Sequence, residues 1–355
     1  MKTSICFVSS TRADYSLLLP SIKECLSRKS KGVKTSVIVT GSHTIKSQGE
    51  TINHFKKDKI PISYSFKILD KTDSKGVKDN FKKSFDGFFA AYEKIKPDVV
   101  VLLGDRYEIF CAAVTAHMKG IKVVHLHGGE LTLGAYDDAY RHSITKFSYL
   151  HFTASKNYRK RVIQLGENPR KVFNVGPLAR ESISHVKFLK KSELEKRLKL
   201  KLKQNVILAT FHPEIGSEEK YKQNLMNFIH VLGELENVSV LFTSPNLDFL
   251  GNEVKKLLKE KIKEFENIAY FESLGFELYY SLMRFTKCVV GNSSSGIIEA
   301  PIMGVSSINI GKRQEGRDQE KTTVNSSFNK SELKNKIEKV LQQKKQSKKN
   351  IKNVS

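Results

Sequence analysis

Short apolar runs rich in β-branched residues recur along the chain, and the stretches between them return their apolar positions at helical spacing. In the first half, residues 5–8, 33–39, 98–103, 122–126, 150–153 and 172–175 read as strands. The runs at 98–103 and 122–126 are continuous rather than alternating, the pattern of strands covered on both faces of a parallel sheet. Helices are expected over 15–28, where Pro20 requires an early turn or a kink, over 79–95, and up to residue 165. The 79–95 segment puts Phe81, Phe85, Phe88, Phe89 and Tyr92 on one stripe, which reads as core rather than as a binding box. The second half repeats the alternation, with strands at 206–210, 238–242, 268–271, 288–290 and 305–310. This pattern predicts an α/β protein with two doubly wound Rossmann-like domains facing a central cleft.

The alternation lapses after Gly176 and Pro177, and residues 184–204 form a highly charged stretch that reads as a hinge. The expected division is a first domain over 1–178 and a second over 179–328. A helix over 329–345 follows, opened by Asn329 with Glu332 three positions on. Its apolar face, Leu333, Ile337, Val340 and Leu341, is expected to pack at the domain junction. Residues 346–355 read as a disordered basic tail.

Composition narrows the picture. A chain of 355 residues with 39% hydrophobic and 28% charged residues has room for two ordinary cores. The first apolar run is too short for a signal peptide and no run is long enough to cross a bilayer, so a cytoplasmic protein without membrane contact is expected. Cys6, Cys25, Cys111 and Cys288 lie far apart without a CxxC pair, and no metal-ligand spacing occurs. The formal net charge of +24 is mostly lysine spread over helix faces. Arginine clusters with interleaved aromatics, a helix-turn-helix or an RRM signature are all missing, so nucleic acid is not an expected partner. The charge retains the effect of attracting anionic ligands.

Candidate chemistry gathers at strand exits, where open α/β sheets bind ligands. The run at 98–103 releases Gly104, Asp105 and Arg106; the run at 122–126 releases His127, Gly128, Gly129 and Glu130, followed by Asp137, Asp138, Arg141 and His142. Each has a structural reading: Asp105 with Arg106 as a loop ion pair, the glycines as a turn, Asp137 as a helix cap. Together they suit a polar, anionic substrate. The turn from Ser9 to Asp14 presents backbone N–H groups at a helix start, with Arg12, Ala13 and Asp14 in reach of an anion. His43 and Gly176 stand at further exits as candidate ligand contacts. In the second half, His212, Ser244 and the loop carrying Ser293, Ser294 and Ser295 end three strands. A helix starting near Ser294 would aim its dipole at a phosphate. Glu299 is a candidate for ribose hydroxyls and Arg313 for a phosphate, and each reads equally as a surface residue.

The strings LGDRYE, HLHGGELTLGAYDDAYRHSITK, FHP, GNSSSGIIEAP and INIGKRQEGR closely resemble the hydrolysing UDP-N-acetylglucosamine 2-epimerases of sialic and legionaminic acid biosynthesis. The resemblance runs from the STRADY loop to about Arg317. It implies a glycosyltransferase-B-like fold, a nucleotide-sugar substrate, no cofactor, and a dimer or tetramer. It also implies anti elimination of UDP to a 2-acetamidoglucal, followed by addition of water to give a free sugar inverted at C2. The residues it points to for catalysis are Asp105, His127, Glu130, Asp137, Asp138, Arg141, His142 and His212. Among these, Asp105 and Asp137 are expected to move protons, with Arg141 and His142 ordering them. Arg12, Arg106, His212, Ser293, Ser294 and Arg313 are expected to neutralise the diphosphate. Several relatives carry Glu where this chain has His127. An imidazole can replace that carboxylate if it transfers a proton; if it supplies negative charge, Glu130 must do so. Non-hydrolysing relatives typically have an EAGLRT-like string where this chain has HGGELTL, which favours hydrolysis. The substrate the resemblance implies is UDP-N-acetylglucosamine, giving N-acetylmannosamine for sialic acid biosynthesis; the alternative is UDP-2,4-diacetamido-2,4,6-trideoxyglucose for legionaminic acid biosynthesis. The alternatives from other classes are a non-catalytic polyanion-binding protein, recognised by salt-steep binding without UDP release, and a glycosyltransferase, which needs an acceptor.

Overall fold

The computed structural model of the chain describes residues 2–45, 51–68, 74–132, 137–214, 220–245 and 251–343. They form two compact units, the first reaching Ser182 and the second starting at Ile183, with Thr132 grouped with the second. Each unit is a doubly wound α/β layer structure around one parallel sheet.

The first sheet has seven strands: β1 (Thr3–Ser9), β2 (Val33–Val39), β3 (Tyr64–Ser65), β4 (Val99–Leu103), β5 (Lys122–Leu126), β6 (Leu150–Thr153) and β7 (Val172–Asn174). Their spatial order is β3-β2-β1-β4-β5-β6-β7. Cys6 of β1 sits between Ser36 of β2 and Val100 of β4, in the middle of the sheet. Alternate residues of the inner strands feed two separate apolar clusters. Cys6, Val8, Val100 and Leu102 pack with Phe88, Tyr92 and Ile109, whereas Phe7, Val101 and Leu103 pack with Tyr15, Leu18 and Ile22. Both faces are therefore covered, which is why these strands read as unbroken apolar runs. The aromatic stripe lies on a helix that begins earlier than its periodicity suggests, Ser74–Ile95, and Phe88 and Tyr92 are its buried centre.

Pro20 sits inside the helix Arg12–Ser27. A proline there leaves the carbonyl four residues earlier without its N–H donor. That carbonyl belongs to Ser16, and the Ser182 hydroxyl donates to it at 2.9 Å. The helix thus continues through the proline, because a side chain distant in sequence replaces the missing bond.

The second sheet has six strands: β8 (Asn205–Thr210), β9 (Val238–Thr243), β10 (Ile268–Phe271), β11 (Cys288–Gly291), β12 (Ser306–Ile310) and β13 (Thr323–Ser326), in the order β10-β9-β8-β11-β12-β13. The charged stretch expected as a hinge contains the helix Lys191–Leu198, whose Leu194 and Leu198 are buried. The final helix, Lys330–Gln342, was expected at the domain junction. In the structure Leu333, Ile337 and Val340 enter the core of the second unit beside Phe228 and Ile308. Its apolar stripe is absorbed by its own sheet and the helix Tyr221–Gly233. The basic tail lies outside the described residues. Cys6, Cys111 and Cys288 are buried thiols and Cys25 is half-buried.

Candidate active site

The sheet order sets which candidate residues meet. In the first unit, His43, the Ser9 to Asp14 turn, Asp105 and the His127 to Glu130 loop follow β2, β1, β4 and β5, four neighbouring strands. The strand order reverses between β1 and β4, the switch point at which such sheets open a crevice.

Arg141 organises this edge. It lies on the first turns of the helix Asp137–Phe147 and is only 1% exposed. Its guanidinium pairs with Asp105, donates to Asp138 Oδ1 at 3.1 Å, and donates to the Glu130 carbonyl at 2.9 Å. Burial alone pulls its pKa down; Asp105, Glu130 and Asp138 outweigh that and the net shift is upward. One cation thereby fixes the β4 exit, the β5 exit and the helix start in a single arrangement. His142, on the same helix, faces Asp138 Oδ2 at 3.4 Å. Burial holds its pKa below the ordinary imidazole range despite Asp138. Asp137 opens the helix and is half-buried. Arg106 forks onto the buried Glu108 at 3.2 and 3.3 Å.

The glycines of the β5 exit answer to space. Gly129 has φ of 81°, and a Cβ there would lie 2.4 Å from the Tyr158 carbonyl oxygen. A Cβ on Gly128 would lie 2.9 Å from His125 Nδ1. His127 between strand and glycines has φ of 65°, a left-handed conformation that few non-glycine residues adopt. Its Nδ1 is 3.1 Å from Glu130 Oε1, and its Nε2 accepts the Leu178 N–H at 3.2 Å. The segment after β7, which includes Gly176, returns to the β5 exit through this bond.

At the β1 exit, Asp14 is committed to local structure. It is the third residue of a capping box with Thr11, and it accepts from Ser9 Oγ at 2.7 Å and from the Ser10 and Thr11 amides at 2.9 and 3.0 Å. Burial raises its pKa, but the bonds from His43, Ser10 and Ser9 lower it further, and the net shift is downward. His43 is fully buried and bridges Ser9 Oγ at 2.9 Å and Thr51 Oγ1 at 2.7 Å. Asp14 and His43 therefore shape the turn, and Arg12 and Ala13 stand exposed on it.

In the second unit, Ser244, His212, the Ser293 to Ser295 loop and Arg313 follow β9, β8, β11 and β12, again four neighbours. Asn292 ties two of these exits: its Oδ1 accepts the His212 N–H at 2.7 Å and its Nδ2 donates to the His212 carbonyl at 2.8 Å. Arg313 and Gln314 donate to the Asn292 carbonyl at 3.2 and 2.9 Å. Glu214 Oε1 accepts the Lys312 and Arg313 amides at 2.9 and 3.1 Å. His212 is buried, and burial followed by the nearby Arg313 charge holds it well below the imidazole range, so it is a neutral hydrogen-bonding group. Gly291 has φ of 142°, and a Cβ would lie 1.9 Å from the Thr210 carbonyl oxygen, so β11 ends in close contact with β8.

The helix expected near Ser294 is instead a 3₁₀ turn, Ser294–Gly296, followed by the short helix Glu299–Ile302. The Ser293 hydroxyl accepts the Ser295 N–H at 3.4 Å, and Ser295 Oγ meets the Tyr279 hydroxyl at 2.6 Å. With so few aligned peptides, the turn carries little helix dipole. Burial, then Glu299, pushes the Tyr280 phenol up, which places Glu299 beside that ring.

Several contributors were not singled out from sequence. His125 on β5 is fully buried; its Nε2 donates to the Gly104 carbonyl at 2.9 Å and its Nδ1 meets Thr145 Oγ1 at 3.1 Å. It clamps the residue before Asp105 to the helix bearing Arg141, and burial pushes its pKa down to about 3. The signal was present as an imidazole inside an apolar strand. Arg161, which donates to the Gly129 carbonyl at 2.5 Å, and Glu214 gave no signal apart from their polarity, whereas Asn292 and Gln314 lie inside the GNSSSG and GKRQEGR strings. Among the described residues no group of three His, Cys, Asp or Glu side chains is placed to hold a metal ion, and no helix is long and apolar enough to cross a membrane.

Two parallel-sheet units with ionisable side chains ranked along neighbouring strand exits define a doubly wound α/β protein. A family model described as UDP-N-acetylglucosamine 2-epimerase matches residues 26–354, and the chain belongs to that family. It is 39% identical over 334 residues to the GDP/UDP-N,N'-diacetylbacillosamine 2-epimerase (hydrolyzing) of Campylobacter jejuni, covering 92% of this chain and 85% of that one. It is 34% identical to the polysialic acid biosynthesis protein P7 of Escherichia coli, covering 88% of this chain and 80% of that one. Its fold matches the crystal structure of a putative UDP-N-acetylglucosamine 2-epimerase from Listeria monocytogenes with a TM-score of 0.79 at 17% identity, over 97% of this chain and 89% of that one.

Proposed function

We propose that the protein is a hydrolysing 2-epimerase of a UDP-2-acetamido sugar, releasing UDP and the free sugar inverted at C2. The observation that carries this reading is the Arg141 guanidinium, which holds Asp105, Asp138 and the Glu130 main chain together at adjoining strand exits. In the first step the C1–O bond breaks, its electron pair leaves with UDP, and a carboxylate takes the C2 proton. An oxocarbenium-like centre forms as the diphosphate departs, and negative side chains stabilise it. In the second step water adds its oxygen to C1 and C2 receives a proton on the opposite face. Proton transfer from both sides of the ring requires two groups, and Asp105 and Asp137 are assigned to it, with Arg141 and His142 ordering them. Arg12, Arg106, the Ser293 to Ser295 loop and Arg313 are assigned to the diphosphate, His212 to a neutral hydrogen bond with it, and Glu299 to ribose.

Between the two sugars, the 39% identity to a relative named for N,N'-diacetylbacillosamine favours UDP-2,4-diacetamido-2,4,6-trideoxyglucose. The family description and the polysialic acid relative favour UDP-N-acetylglucosamine as the second reading. The test is UDP release from each nucleotide sugar, with a chelator present, compared by kcat/KM. A higher kcat/KM for the diacetamido sugar supports the first reading and the reverse supports the second. Salt-steep polyanion binding without UDP release from either would end the enzymatic proposal.

A further inference from the structure

We infer that His127 is a positioning residue rather than a proton-transfer group, and that it aims Glu130 as the carboxylate through which this loop acts on the sugar. The inference rests on the epimerase reading and deepens it. The two imidazole nitrogens are both engaged. Nε2 accepts the Leu178 N–H at 3.2 Å and so presents its lone pair there, which puts the ring hydrogen on Nδ1. Nδ1, which then carries the ring hydrogen, lies 3.1 Å from Glu130 Oε1. A proton moving through Nε2 would first have to break the bond to a backbone amide, leaving that donor unmatched.

The backbone around the ring is built for this aim. His127 donates its own N–H to the Phe152 carbonyl at 2.8 Å, and its left-handed φ turns the ring back toward the segment after β7. Glu130 is anchored on the main-chain side by Arg141, which donates to its carbonyl at 2.9 Å, and the preceding Gly129 carbonyl is held by Arg161. The carboxylate is thus oriented by His127 while its backbone is fixed by two guanidinium groups. At this position the chain carries an imidazole whose Nδ1 lies beside the next carboxylate, so negative charge in the loop comes from Glu130.

The test has two arms. In the first, the protein is labelled with 15N-histidine and the His127 ring is assigned by comparison with His127→Asn. The expected spectrum has Nδ1 protonated and Nε2 unprotonated; a proton on Nε2 in its place overturns the inference. In the second arm, pH profiles of kcat and kcat/KM are measured for the wild type, His127→Asn, His127→Phe and Glu130→Gln. Asparagine tolerates the left-handed backbone and retains an N–H donor near the Nδ1 position. His127→Asn is expected to keep both limbs of the profile at a kcat above that of His127→Phe. His127→Phe is expected to lose about 10- to 100-fold in kcat, the size of one hydrogen bond to a charged group. Glu130→Gln is expected to lose more than either. If His127→Asn removes a limb, or falls as far as Glu130→Gln while its thermal melt stays at the wild-type value, His127 transfers the proton itself and the inference is wrong. If the wild type releases UDP from neither sugar, the epimerase reading fails, and the inference with it.

Discussion

Replacing Arg141 by methionine should destabilise the first unit more than any other single change at the candidate site. The guanidinium is 2% exposed, and its two carboxylate partners, Asp105 and Asp138, are 22% and 25% exposed. Methionine fills much of the volume but leaves those carboxylates facing each other and the Glu130 carbonyl without its donor. Breaking a fully buried pair by removing one partner costs about 3–5 kcal/mol. The partial exposure of the carboxylates lets water screen them, which brings the expected loss to roughly 2–4 kcal/mol. For a unit of this size that corresponds to a fall in Tm of roughly 5–15 °C. Lysine cannot fork across three acceptors, so Arg141→Lys should recover part of the loss and not all of it. The assay is urea and thermal unfolding of the wild type, Arg141→Met, Arg141→Lys and the triple variant Arg141→Met with Asp105→Asn and Asp138→Asn. Removing the stranded carboxylates should return part of the stability lost in Arg141→Met. An Arg141→Met protein within about 0.5 kcal/mol of wild type, the range of an ordinary surface substitution, would refute the claim that this cation organises the edge.

Two further predictions concern residues that shape the site. His125 has a pKa lowered by burial to about 3, far below its unfolded value of about 6.5, so the folded state binds fewer protons between these values. Its stabilising contribution is complete above about pH 6.5 and is lost as pH falls toward 3, at about 1.4 kcal/mol per pH unit. Urea unfolding between pH 7 and 4 should show that slope reduced by one proton's worth in His125→Asn; an unchanged slope would contradict the assignment. Gly291→Ala should cost on the order of 2 kcal/mol or more, because the new Cβ meets the Thr210 carbonyl oxygen at 1.9 Å and φ is 142°. A thermal melt at the wild-type value would show that the β11 exit is not held as described.

Much of this architecture is legible because both sheets are parallel. Buried inner strands such as β4 and β5 must be apolar on both faces, so their ends are sharp in sequence and the polar groups at those ends stand out. The edge strands β3 and β13 are less legible, being two and four residues long and containing Tyr, Ser, Thr and Asn beside a single Val. Periodicity shows that the face of the last helix carrying Leu333, Ile337 and Val340 is buried, and the structure supplies Phe228 and Ile308 as its neighbours, since a stripe names no partner. Identity of the ionisable residues was visible at the strand exits, whereas their pairing was not. Asp105 pairs with Arg141, distant in the chain, and Arg106 forks onto Glu108 two positions on. Asp14 and His43 resemble ligand contacts in sequence, yet their hydrogen bonds are directed into the turn that carries Arg12. Pro20 reads as an early turn or a kink until Ser182, distant in the chain, supplies the missing donor.

The central claim is elimination of UDP followed by rehydration of the glycal with inversion at C2. The most direct measurement is a proton NMR time course of the purified protein with each UDP-sugar in D2O, with a chelator present. The account predicts free sugar of the inverted C2 configuration carrying deuterium at C2, together with UDP, at a rate the chelator does not change. A product that retains its C2 hydrogen, or retains the original configuration, would contradict it.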